Sequence, residues 1–136
     1  MLVLDASVAV KWFVEEPGTA AAMALLAQDE SLIAPDLVIV EVANVAWRHL
    51  MRGALQHSQL AHVPEAVPRM FAELWPTMWL ASRAFEIAAE LRHPVYDCFY
   101  LALAESQDAT LITADRRLIG RLAGSRWDGL CRPLVG

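Results

Sequence analysis

Apolar positions along this chain fall into two kinds of block. Met1–Asp5 (MLVLD), Ser31–Ala34 and Ala109–Thr113 (ATLIT) are short, continuous and bounded by polar residues, which predicts buried strands. Between them the spacing turns helical. A helix is expected after Ala6, with Ser7 as its N-cap, broken at Glu15-Glu16-Pro17-Gly18. Ala20–Ala27 is rich in alanine and leucine and predicts a second helix. Pro35-Asp36 opens a long one that runs to about Met51 and ends at Gly53. Residues 57–73 have helical composition but carry Pro64 and Pro68, so a kink or two short helices is expected there. Trp75–Leu80 predicts a strand, weakened by Pro76. Ser82–Leu91 predicts an amphipathic helix stopped near His93-Pro94, and Tyr96–Ser106 a nearly all-apolar one. After ATLIT, Ala114-Asp115 opens a helix to about Leu122, and the tail holds one last short strand at best.

Strands that alternate with helices build parallel β-α units. The expected fold is therefore α/β: one domain over residues 1–136, a three-layer α/β/α sandwich around a parallel sheet of four to five short strands. Such sheets bind ligands outside the C-terminal ends of their strands. The residues just after each strand are the ones to read for function.

Carboxylates stand there. Asp5 follows the first strand, and Asp115 follows ATLIT by one residue. Asp97 sits at a helix start among Val95, Tyr96, Cys98, Phe99 and Tyr100. Glu41 interrupts the apolar run of the long helix and shares a face with Asn44 and Arg48, three and seven residues on. Each acid also has a purely structural role open to it. Asp5 fits a turn, Asp97 and Asp115 fit helix N-caps, and Glu41 fits a solvent-facing partner of Arg48. Taken as a set they suggest chemistry, because carboxylates gathered at one sheet edge repel one another unless a cation neutralises them. All-oxygen ligation suits Mg²⁺ or Mn²⁺ rather than zinc, and such ions serve phosphodiester hydrolysis.

Composition narrows the class. With 57% hydrophobic and 20% charged residues the chain is not disordered. The longest stretches without Asp, Glu, Lys or Arg, such as Pro17–Gln28, fall well short of the roughly 18 residues a membrane span needs. Asp5 precedes Lys11, so the basic start of a secretory leader is missing. Cys98 and Cys131 form no CxxC or zinc spacing, and a cytoplasmic, reducing location is expected. The net charge of −5 argues against coating nucleic acid by charge alone. The cations cluster late, however: Arg116, Arg117, Arg121, Arg126 and Arg132 face only Asp115 and Asp128 after position 108.

The segments VLDASVAVKWF (Val3–Phe13), PDLVIVEVANVAWR (Pro35–Arg48) and YDCFYLALAESQDATLITADRRL (Tyr96–Leu118) together resemble PIN-domain proteins, and among them the VapC-type toxins of toxin–antitoxin pairs. The resemblance covers nearly the whole chain, in order. It implies a Mg²⁺- or Mn²⁺-dependent endoribonuclease that leaves 5′-phosphate and 3′-hydroxyl ends. It maps the family's acids onto Asp5, Glu41, Asp97 and Asp115, as metal ligands and catalytic residues. Ser7 and Thr113 match hydroxyls that orient the site, and Asn44 matches a polar position near it. Arg116 follows the last acid, where it contacts a phosphate or pairs with a surface acid. The resemblance further implies a homodimer, a cognate antitoxin that covers the site, and an RNA substrate of the tRNA or ribosomal RNA kind. More large apolar side chains are present (Trp12, Phe13, Trp47, Met51, Trp75, Trp79, Trp127) than a small core hides, and about half are expected at such interfaces.

Two departures stand out. Cys98 replaces the family's usual alanine and brings a thiol, with its sensitivity to oxidation, next to Asp97. Residues 53–80 match no motif, and His57 and His62 there have no third ligand at metal spacing. Phospho-aspartate switches and phosphatases fit poorly. Asp5 has no acidic neighbour, Ser7 stands where a phosphatase needs an acid, and Lys11 is the only lysine. The remaining alternatives are a PIN-domain nuclease of RNA processing and a catalytically silent binding module of the same fold.

Overall fold

A computed structural model describes residues 1–135. Its centre is a five-stranded parallel sheet in the order β3-β2-β1-β4-β5. The strands are β1 (Leu2–Leu4), β2 (Leu32–Pro35), β3 (Glu73–Trp75), β4 (Thr110–Thr113) and β5 (Cys131–Pro133). The helices are α1 (Ala6–Ala9), α2 (Thr19–Leu26), α3 (Leu37–Met51), α4 (His57–Leu60), α5 (Val63–Ala66), α6 (Ala81–Leu91), α7 (Val95–Gln107) and α8 (Arg116–Leu122). This is the expected α/β/α sandwich with a parallel sheet.

The three central strands are almost wholly buried, as strands covered on both faces must be. Their largely apolar runs, broken only by the threonines at the ends of β4, have no polar face to give to solvent. The chain winds from β1 outward through β2 to β3, then crosses to β4 and on to β5. Right-handed crossovers put α1, α2 and α3 on one face, and α6, α7 and α8 on the other. Helix α7 lies against β1, β2 and β4, with α6 packed behind it. Leu101, Ala102, Leu103 and Ala104 of α7 are buried there, which accounts for its lack of a polar face. A bidentate pair from Arg83 to Glu105 (2.6 and 3.0 Å), joined by Trp127 Nε1 at 3.1 Å, ties α6, α7 and the tail together.

The winding reverses between β1 and β4. Leu4 is in register with Ile112, so Asp5 and Thr113 leave the sheet side by side. A reversal of this kind opens a crevice beyond the strand ends.

Several boundaries differ from the sequence reading. Asp5, not Ser7, caps α1, and its carboxylate accepts from Val8 N. Asp5 ends the strand in extended geometry (φ −90°, ψ 176°), which is also an N-cap's geometry, so one residue does both jobs. The third strand ends at Trp75 rather than starting there. Pro76 has no N–H to give the ladder, and Thr77–Trp79 form a 3₁₀ turn instead. The proline-bearing 57–73 segment becomes α4, α5 and a 3₁₀ turn over Val67–Met70, with Pro64 and Pro68 in first-turn positions where their missing N–H costs nothing. The long helix stops where Gly53 takes φ +71°, a left-handed turn that glycine adopts freely.

Of the large apolar residues, Trp127 is buried and Trp12, Phe13 and Trp75 pack against the core, whereas Trp47, Met51 and Trp79 are exposed. Among the described residues no helix is long and apolar enough to cross a membrane.

Candidate active site

Asp5, Glu41, Asp97 and Asp115 all line one open cavity of about 530 Å³ at the β1–β4 reversal. They arrive from four segments: the end of β1, the middle of α3, the first turn of α7, and the N-cap of α8. Ser7, Asn44 and Arg48 share the wall. The Glu41-Asn44-Arg48 stripe is thus the face that α3 turns to the cavity.

Each acid is held by a donor of the chain itself. Ser7 Oγ donates to Asp5 Oδ1 at 2.5 Å, and Thr113 Oγ1 donates to Asp5 Oδ2. The same two hydroxyls accept from the next strand end, Ser7 from Ala114 N (2.9 Å) and Thr113 from Asp115 N (3.0 Å). Two hydroxyl bridges therefore fix the acid after β1 against the acid after β4. Asp115 in turn caps α8, accepting from Arg117 N at 2.9 Å. Tyr100 donates to Glu41 Oε1 at 2.6 Å, and His93 Nε2 lies 2.6 Å from Asp97 Oδ2.

Tyr100 and His93 are site residues that the sequence reading missed. His93 stands four residues before Asp97, a spacing that can be read in a helix, but Pro94 between them points to a break instead. Tyr100 carries no local signal, because its partner is 59 positions away. Exposed Tyr96 also lines the cavity. Asp97 is not the N-cap of α7, a place taken by Pro94, and lies inside the first turn. Arg116 does not line this cavity but a second one, which Asp115 also lines.

The electrostatics are those of crowded carboxylates. Burial lifts Asp5 from an ordinary 3.8 to about 6, with the charge of Asp97 adding and the two hydroxyls opposing. Burial also raises Glu41, again with help from Asp97 and against the Tyr100 hydrogen bond. Tyr100 is raised well above its usual value by its own burial and by Glu41, so it stays a donor. Cys98 is fully buried, and burial pushes its thiol up to about 11. That argues against the oxidation sensitivity expected of it, since the thiolate is the reactive form. His57 and His62 are exposed and do not line the acids' cavity, with His62 edge-on to Phe13.

The donor set is all oxygen, with Asp5 buried, Glu41, Asp97 and Asp115 partly so, and the charge of Asp97 acting against Asp5 and Glu41, which fits a hard divalent cation. Among the described residues, no three His, Cys, Asp or Glu converge on one point as the side chains stand. Their carboxylates are turned instead to Ser7, Thr113, Tyr100, His93 and the α8 backbone.

Comparison with known proteins bears on the family and the fold. Residues 2–124 match the PIN domain family. The chain is 34% identical over 119 residues to Ribonuclease VapC3 of Pyrobaculum aerophilum, covering 86% of this chain and 91% of that protein. The crystal structure of PAE2754 from the same organism superposes with a TM-score of 0.69 at 23% identity, covering 88% of this chain and 78% of that one. A toxin–antitoxin complex from Klebsiella pneumoniae gives 0.62 at 19% identity, covering 93% of each chain. At those identities the two structures speak for the fold alone. The family match and the VapC relative, each spanning most of the sequence, show that this chain belongs to the PIN-domain family, in its VapC-type branch.

Proposed function

We propose that this chain is a divalent-metal-dependent endoribonuclease, the toxin of a toxin–antitoxin pair. The observation that carries the reading is the convergence of four acids from four separate segments on one cavity at the sheet's switch point. Similarity to a protein named as a ribonuclease supports RNA as the substrate, and the fold shared with a toxin–antitoxin complex supports the antitoxin.

Asp5, Asp97 and Asp115 would hold Mg²⁺ or Mn²⁺, and Glu41 would complete the set. Such an ion, when bound, would supply Lewis-acid activation of a water and offset charge that develops at the phosphodiester. The chain's part is to hold its carboxylates oriented, while a bound cation would offset the burial and the Asp97 charge that raise Asp5 and Glu41. Ser7 and Thr113 fix Asp5, Tyr100 fixes Glu41, and His93 fixes Asp97. Asn44 and Arg48 offer a polar donor and a cation to the substrate on the same wall. Ser7 does not act as a nucleophile, because its hydroxyl is committed to Asp5 and Ala114 N. The substrate is a structured RNA of the tRNA or ribosomal class. A second copy of the chain and an antitoxin would cover apolar residues such as Val40, Trp47 and Met51, all exposed along one edge of α3.

The test is cleavage of a mixed pool of tRNA and ribosomal RNA by the purified protein. Cutting in Mg²⁺ or Mn²⁺, stopped by EDTA, with 5′-phosphate product ends, is the expected result. Cutting that persists undiminished in EDTA would overturn the metal-dependent mechanism. Metal binding without cutting of any RNA would favour the silent binding module.

A further inference from the structure

A second cavity of about 930 Å³ meets the first at Asp115, which lines both. Thr113, Arg116, Ile119, Gly120 and Leu134 belong to its wall. Its two cations are not equivalent. Lys11 is nearly buried and its Nζ is taken up by Glu16 Oε1 (2.9 Å) and the Pro17 carbonyl (2.8 Å), so it staples the turn before α2. Arg116 is exposed and forms no ion pair among the described residues.

An unpaired guanidinium facing a cavity that adjoins a carboxylate cluster is oddly placed for stability, since the acids nearest in sequence do not pair with it. It is well placed for a polyanion. Guanidinium binds phosphate through a flat fork of donors, and the apolar Ile119 and Leu134 beside it suit a sugar or base face. The two cavities share Asp115, so a strand laid across both would put one phosphate at the acids and a neighbouring one at Arg116. The acidic cavity alone repels the rest of the strand; in the second cavity Lys11 is neutralised by Glu16, so the attraction that offsets this comes from the unpaired Arg116 beside the apolar walls.

We propose that the second cavity is a subsite for the single-stranded RNA that flanks the scissile phosphate, with Arg116 on a backbone phosphate. The inference rests on the ribonuclease reading above.

Two substitutions test it from different sides. Arg116→Gln removes the charge. Gly120→Glu puts a carboxylate into the cavity without crowding, because a Cβ at Gly120 would meet nothing within 4 Å and its φ is ordinary. Gly120→Ala and Arg126→Gln, the latter removing a cation already paired with Glu90, serve as controls. Binding of a labelled, mixed-sequence single-stranded RNA is measured against salt in an Asp97→Asn background, and KM and kcat are measured on the tRNA and ribosomal RNA pool. Arg116→Gln is expected to weaken binding about tenfold and to reduce the slope of log affinity against log salt by about 0.7, the loss of one single-strand phosphate contact. Both test variants should raise KM and leave kcat unchanged, while the controls match the parent protein. Unchanged affinity and salt slope in both test variants would overturn the subsite and leave the ribonuclease standing. A fall in kcat with unchanged affinity would also overturn it, by moving Arg116 to the chemical step. Absence of RNA binding and cleavage by the parent chain would overturn the ribonuclease reading and the subsite with it.

Discussion

Asp97→Asn should lower RNA cleavage by more than about a hundredfold while the protein stays folded. Even partners that only orient a metal ligand cost 10- to 100-fold on removal, so loss of a ligand's charge should cost at least that. Asp97 is also the acid to which the others respond, since its charge raises both Asp5 and Glu41. Asparagine keeps the shape and keeps an oxygen for His93. The substitution removes a repulsion from the cavity, which stabilises, and removes a negative charge from the first turn of α7, which destabilises by a few tenths to about 1 kcal/mol. These nearly cancel, so the melting temperature should move little. The check is kcat on the RNA pool beside a thermal melt. Activity within a few-fold of the parent protein, with the fold intact, would remove Asp97 from the site.

The second large effect is a dependence of stability on pH that runs against the usual acid denaturation. Asp5 is 4% exposed and its carboxyl is lifted to about 6, against about 3.9 in an unfolded chain. The folded state therefore binds the proton more tightly. That stability is fully present below about pH 4 and is lost as pH rises through 6, amounting to about 3 kcal/mol in the metal-free protein. Glu105, lowered by its hydrogen bonds to Arg83, works in the opposite sense and would mask the effect in a simple pH scan. The difference between wild type and Asp5→Asn isolates it. In EDTA, the unfolding free energy of wild type relative to Asp5→Asn should fall by about 3 kcal/mol from pH 4 to pH 7, measured by urea denaturation. Mg²⁺ at pH 7 should restore part of it to wild type alone. A difference that does not change with pH would mean that Asp5 carries no such burden.

Much of this site was legible in the sequence because parallel sheets leave so few choices. A buried strand must be apolar, so a polar residue directly after one, as Asp5 after Leu4 or Asp115 after Thr113 and Ala114, marks the sheet's edge. Glu41 and Asp97 were visible as lone charges in apolar helices. What escaped was set by packing between distant segments. The tie between Tyr100 and Glu41 depends on α3 and α7 meeting at the cavity, although the two residues stand 59 positions apart in the chain. That Arg116 lines a cavity other than the acids' depends on how α8 leaves Asp115, and the sequence records only that it follows Asp115. The misplaced third strand has a local cause. Glu73–Trp75 is a three-residue edge strand, half exposed, with too few apolar positions to outweigh the longer run after Pro76. Asp5 and Ser7 are both good N-caps two residues apart, and the register of β1 with β4, unseen in sequence, decides between them.

The central claim is that Asp5, Glu41, Asp97 and Asp115 act together on a divalent ion, although each is also hydrogen-bonded to a group of the chain itself. Calorimetric titration of the metal-free protein with Mn²⁺, beside Asp97→Asn, tests this most directly. Saturable binding by wild type that weakens at least about tenfold in the variant is the expected result. Binding of equal strength in both proteins, or none in wild type, would contradict it.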